Sequence, residues 1–136
     1  MWIESRRDGH SFISSGSDFE KAAGYSRAVV YPPWVFTAGT TGFDYEKMTI
    51  SDSLEQQVEQ TLENIRRCLA QAGAGMQDVI QCNWIITDRK YFVTCGRLLS
   101  EAFFPNKPAA MTLVCELVDE RMKFEMQVIA HMRSSV

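Results

Sequence analysis

The stretch from Pro108 to Arg133, PAAMTLVCELVDERMKFEMQVIAHMR, constrains the fold more than any other part of the chain. Its polarity alternates with a period of two, and only an extended strand places every second side chain on one side. In the first run Met111, Leu113, Cys115 and Leu117 share one side, with Ala110, Thr112, Val114 and Glu116 opposite. In the second run Met122, Phe124, Met126, Val128, Ala130 and Met132 share a face, and Lys123, Glu125, Gln127, His131 and Arg133 occupy the other, interrupted by Ile129. Polar residues around Asp119-Glu120-Arg121 separate the runs, so the pair reads as an antiparallel hairpin. Glu125, in mid-strand between apolar neighbours, is the one acidic group that reads as placed rather than merely solvated.

The rest of the chain supplies what such a hairpin packs against. Residues 1 to 24 read as irregular, with one short strand candidate at Ser11-Phe12-Ile13. Ser26 to Tyr31 and Trp34 to Thr37 read as a strand pair about Pro32-Pro33, where neither proline can donate to a ladder. The pair ends in Ala38-Gly39-Thr40-Thr41-Gly42, whose two glycines mark a close backbone approach or a positive φ. A helix is expected from Asp52 to Ala72, because Leu54, Val58, Leu62, Ile65, Leu69 and Ala72 form one stripe. Asp52 with Glu55 suits its N-terminal cap, and Gly73 stops it. Val79 to Thr87 reads as a strand, and Arg89 to Phe104 as a second helix with Phe92, Cys95, Leu99 and Ala102 on its stripe, ended by Pro105.

The expected order is β-β-β-α-β-α-β-β: one α+β domain over residues 1–136, a mixed six-stranded sheet with two helices on one face. Two helices cover one side only, and the apolar Val114 and Ile129 on the other argue for a subunit partner.

Composition narrows the function classes. The chain has 136 residues, 46% of them hydrophobic and 23% charged, which is the balance of an ordinary globular domain. No run reaches the roughly 18 apolar residues that a bilayer requires. The opening MWIESRRDGH has no apolar core behind its charges, as a secretory signal would need. A net charge of −3 and the lack of a basic stripe argue against nucleic acid as a partner. Cys68, Cys82, Cys95 and Cys115 form no CxxC pair, and His10 and His131 have no partners at metal spacing. Reduced, buried cysteines in a cytoplasmic protein without metal are the expectation.

Three segments together, GYSRAVVYPPWVFTAGTTG, SLEQQVEQTLENIRRCLAQAGAGMQDVIQCNWIITD and SEAFF…KPAAMTL…MKFEMQVIAH, resemble the Rid family, also called the YjgF or L-PSP family, from Gly24 nearly to the end. The resemblance implies a chorismate-mutase-like fold and a homotrimer, with sheets as an inner barrel, helices outside, and three small-molecule clefts between subunits. It implies no metal and no organic cofactor. The best-known members hydrolyse enamine and imine intermediates released by pyridoxal-phosphate enzymes, giving a keto acid and ammonia.

Position by position, the family's front tyrosine is Tyr25, and its usual Ser-Gly pair is Ala38-Gly39. An asparagine common in its second helix falls on Arg97. The arginine two residues after the hairpin proline falls on Ala110, the cysteine two further on at Thr112, and the catalytic glutamate at Glu125. In deaminating members that arginine pairs with the substrate carboxylate through a fork that alanine cannot imitate. Its absence would cost about 2–5 kcal/mol of binding, so efficient 2-aminoacrylate deamination is not expected of this chain. Arg97 is the candidate replacement clamp for an anionic small molecule.

Glu125 is the candidate proton acceptor for water attacking a C=N carbon, and burial in a cleft would raise its pKa toward neutrality. The competing reading is a strand glutamate paired with Lys123 or with a neighbouring subunit's cation. Three functions follow, in this order: a trimeric hydrolase of a small enamine, imine or related carbonyl compound; a binding or regulatory module that kept the trimer and lost the chemistry; and an endoribonuclease, which lacks a basic groove and a histidine pair here.

Overall fold

The computed structural model describes residues 2–133. Its main sheet has eight strands: β1 (Ile3–Arg7), β2 (His10–Ser14), β3 (Ala28–Tyr31), β4 (Trp34–Thr37), β5 (Thr40–Thr41), β8 (Val79–Ile86), β9 (Ala109–Val114) and β10 (Phe124–His131). They run in the order β1-β2-β3-β4-β10-β8-β9, and β5 also pairs with β10. A separate two-stranded ribbon joins β6 (Phe43–Asp44) to β7 (Thr49–Ile50). The helices are α1 (Asp18–Ala23), α2 (Leu54–Ala72) and α3 (Phe92–Phe103). The fold is α+β, with two main helices.

Helix α2 forms where its stripe repeats. Val58, Leu62, Ile65 and Leu69 are buried, each worth about 1.5–3 kcal/mol in apolar area removed from water. Its N-cap is Ser53 rather than Asp52: the Ser53 hydroxyl accepts from the Gln56 N–H at 3.3 Å. Gly73 closes it in the left-handed region at φ 86°. Helix α3 buries Cys95, Leu98, Leu99 and Phe103, whereas Phe92, expected on the stripe, is 52% exposed. The inward face of β10 is Phe124, Met126, Val128 and Ala130, all buried.

The terminal runs are strands, but they do not form a hairpin with each other. β8 lies between them, antiparallel to β10 and parallel to β9. Parallel neighbours need a crossover, and α3 supplies it between β8 and β9. Alternation fixed the faces of each run, while the apolar eight-residue β8 took the central place beside β10. The register also separates Val114 from Ile129. Val114 pairs with Ile86, buried on the helix side, whereas Ile129 pairs with Gln81 and Phe36 on the opposite face. The uncovered face is built instead from Trp34, Phe36, Met111 and Leu113, each between 37% and 53% exposed.

The first 24 residues are not irregular. They carry the β1–β2 hairpin and α1, and β1 together with the short β5 takes the sheet from six strands to eight. Helix α1 is capped by Ser17, whose hydroxyl accepts from the Glu20 N–H at 3.2 Å. The Ser-x-x-Glu spacing is the sequence signal for that start. Of the four cysteines, Cys68, Cys82 and Cys95 are buried, but Cys115 is exposed because β9 has ended at Val114.

Candidate active site

Gly42 and Gly39 shape the turn that carries the site. A Cβ on Gly42 would lie 2.6 Å from the Gln57 backbone, so only glycine lets the turn pack on α2. Asn64 of α2 donates to the carbonyls of Thr41 (3.0 Å) and Phe43 (2.9 Å), which fixes the turn from below. A Cβ on Gly39 would lie 2.9 Å from the Glu125 carboxyl. Close approach, rather than positive φ, is therefore what both glycines provide.

Glu125 reaches this position because β10 pairs with two strands at once, Thr41 on one side and Ile85 on the other. Its carboxylate stands beside a pocket of about 90 Å³ formed with Asn83, Ile85, Met111 and Leu113. Burial raises its pKa above the usual carboxylate range, and the charge of Arg27 opposes that rise without cancelling it. No hydrogen bond or ion pair from the described residues reaches the carboxylate. The Lys123 ammonium is bound to the Asp52 carbonyl, so the expected alternative partner on the same strand is otherwise engaged.

Arg27, which the sequence reading passed over, lies behind this turn and is 1% exposed. Its Nη1 donates to the Gly39 carbonyl at 2.7 Å, and its Nη2 pairs with Glu20 at 3.3 Å. The guanidinium sits 4.0 Å from the Tyr45 ring centroid and 5.6 Å from that of Tyr25. Burial pushes Glu20 up, yet hydrogen bonds from Ser15 and Ser17 and the charge of Arg27 bring it below its ordinary value. An acid one cap-length after Ser17 and a cation leading directly into an apolar strand were the available signals.

Tyr25, Ala38, Gly39 and Glu125 thus gather around Arg27 and its turn. Ala110 and Thr112 are elsewhere. They register with Cys82 and Trp84, whose side chains are buried on the helix face, while Glu125 registers with Ile85 on the opposite face. Ala110 lines a pocket of about 200 Å³ with Cys82, Trp84, Leu99, Ser100 and Phe103. Arg97 is on the exposed side of α3 and pairs with Glu101 at 3.3 Å. A single copy therefore presents two separate groups of candidate residues.

The endoribonuclease L-PSP family model matches residues 15–132. The chain belongs to this family, also known as the Rid or YjgF family. Among its relatives, a RutC family protein of Pyrococcus abyssi is 29% identical over 108 residues, covering 79% of this chain and 85% of its own. Among solved structures, Rv2704 of Mycobacterium tuberculosis, a member of the YjgF/YER057c/UK114 family, superposes with a TM-score of 0.82 at 33% identity. That match covers 90% of this chain and 99% of Rv2704. RidA from an Antarctic Psychrobacter superposes with a TM-score of 0.75 at 27% identity, covering 79% of this chain and 88% of its own. The Rid fold is thereby established for this chain, and membership supports a small-molecule-binding or hydrolase-like role. Among the described residues, no helix is long and apolar enough to cross a membrane.

Proposed function

We propose that this Rid protein works as a homotrimer and hydrolyses a small enamine, imine or related carbonyl compound in clefts shared between copies. One observation carries the chemistry: the Glu125 carboxylate is half-buried, raised in pKa and unpaired over the Gly39 turn. A carboxylate with a raised pKa takes up a proton more readily than an exposed one, which suits a general base. Glu125 takes a proton from water as the oxygen attacks the C=N carbon, gives that proton to the nitrogen, and then takes the proton of the new hydroxyl. That second proton goes from the carboxyl to the amine as C=O forms and the C–N bond breaks, so ammonia leaves and Glu125 is again a carboxylate. Water and imine are consumed; ketone and ammonia are produced.

The placement of the two groups supports a shared cleft. Glu125 and Ala110 are on opposite faces of one sheet, so one cleft can hold both groups only if they come from different copies. The exposed Trp34, Phe36, Met111 and Leu113 give that boundary an apolar surface. Ala110 leaves the second group without the arginine fork, so the substrate differs from the usual amino-acid-derived enamines. Arg97 enters a shared cleft as its cation if the neighbouring copy displaces Glu101 from it.

Ammonia release from a panel of imines, with and without a carboxylate, tests this reading. Wild type is expected to turn over at least one class, and Glu125→Gln to bind it without turnover. A second reading, a binding module without chemistry, is favoured by the small apolar Ala38 and Ala110 where the family has polar groups. Normal binding with no turnover by wild type would establish it.

A further inference from the structure

We propose that Arg27 is a positioning residue for Glu125: it clamps the Gly39 turn beneath the carboxylate and sets a buried positive charge behind it. The proposal rests on the reading of Glu125 as the proton acceptor. Its geometry is independent of any ligand. Arg27 Nη1 holds the Gly39 carbonyl at 2.7 Å, and the Glu125 carboxyl packs against the Cα of the same glycine, so close that a Cβ would stand at 2.9 Å. Burial of a guanidinium is costly unless its charge is matched. Glu20 matches it from the other side at 3.3 Å, and the Tyr45 ring covers it.

The groups around Arg27 leave its charge directed along this line. Cys68 faces it from α2, but burial pushes that thiol up to about 12, so it stays neutral. Tyr45, from the β6–β7 connection, is likewise pushed above its ordinary value by burial and stays neutral. Tyr25 contributes a ring at 5.6 Å. Glu20, from α1, is the remaining charge, and it is ionised. On the Glu125 side, β8 and β9 present the uncharged Asn83, Ile85 and Leu113, and Lys123 is bound to the Asp52 carbonyl. Three charges, Glu20, Arg27 and Glu125, thus run in alternating sign from α1 to the candidate cleft.

An alternating row makes opposite predictions for removing Arg27 and for removing Glu20. Carboxyl-carbon NMR on the full chain, with the Glu125 signal assigned by its loss in Glu125→Gln, gives the titration midpoint of Glu125 directly. Arg27→Gln is expected to raise that midpoint, weakening Glu125 as an acid on the order of tenfold, one pKa unit. Glu20→Gln is expected to lower it, because Arg27 is then unopposed. Arg27→Lys, which keeps the charge and loses the fork, should fall between wild type and Arg27→Gln. Mere loosening of the structure would admit water and lower the midpoint in every variant. Should Arg27→Gln fail to fold, Glu20→Gln and Arg27→Lys carry the test. An unmoved midpoint, or a shift of the same sign for Arg27→Gln and Glu20→Gln in folded protein, overturns the proposal. That result leaves the effect of Glu125→Gln on ammonia release untouched, so the two readings fail separately.

Discussion

The Glu125 carboxyl rests against the backbone of Gly39 with no room for a side chain between them: a Cβ there would lie 2.9 Å from it. The absence of a side chain at Gly39 therefore sets where the carboxylate stands. Gly39→Ala is expected to displace Glu125 and to cost about 1–3 kcal/mol as an overpacking substitution. In a Glu125→Ala background the same change should cost little. A double-mutant cycle by chemical denaturation reads the coupling; additive effects would show that the two residues do not meet.

Glu20 and Glu125 should respond to pH with opposite signs. Glu20 is held below its ordinary value, so its stabilisation is present above the unfolded pKa and lost as pH falls through the folded one. Glu20→Gln leaves the Arg27 charge buried and unpaired, a loss of about 3–5 kcal/mol at neutral pH. The gap from wild type should close in acid. Glu125 is held above its ordinary value, so its contribution is present below the unfolded pKa and lost as pH rises through the folded one. Glu125→Gln should therefore stabilise the protein at neutral pH, by about 1 kcal/mol. Urea midpoints of both variants across acid and neutral pH give the two signs.

Gln57 is the fully buried pin between α2 and the segment leading into β10. Its amide nitrogen donates to the carbonyls of Ser51 (2.8 Å) and Arg121 (2.9 Å), and its oxygen accepts from the Lys123 N–H at 2.8 Å. Gln57→Leu keeps the volume and orphans all three. The expected cost is about 2–4 kcal/mol, read by thermal unfolding, with faster amide exchange at Lys123 as the local signature.

Ala110 is exposed on the edge strand β9, so an arginine fits there without repacking. Ala110→Arg is expected to add binding of carboxylate-bearing imines, by about 2–5 kcal/mol if the fork closes on the carboxylate. Steady-state ammonia release should show it as a lower KM for carboxylated substrates and no change for neutral ones. Wild-type turnover of 2-aminoacrylate matching that of Ala110→Arg would show the fork to be dispensable.

Much of this was legible before the structure. The stripe from Leu54 to Ala72 specified α2, because a four-three repeat of that length has no competing extended reading. Alternation specified which residues share a side in β9 and β10, and so set Glu125 opposite Phe124 and Met126, but the side of β9 that meets the helices was read the wrong way round. Alternation says nothing about partners, however. The polar residues around Asp119-Glu120-Arg121 passed for a turn, and the intervening strand was β8, far back in the chain. Arg27 was invisible for a related reason. A buried cation makes sense only beside its counter-charge, and Glu20 reaches it through α1, a helix shorter than any periodicity reveals. Cys115 was misjudged because β9 ends at Val114, and Val114 because its pairing with Ile86 turns that side of β9 toward the helices.

The central claim, that Glu125 of one copy works with the Ala110–Thr112 group of another, is tested most directly by mixing copies. Glu125→Gln protein and Thr112→Trp protein, the latter with its cleft blocked, are unfolded together, refolded together and assayed for ammonia release on the imine that wild type prefers. Each alone is expected to be inactive, and the mixture to regain activity in clefts where an intact Glu125 faces an intact Thr112. A mixture as inactive as its components, in oligomers shown by mass to contain both, would contradict a shared cleft.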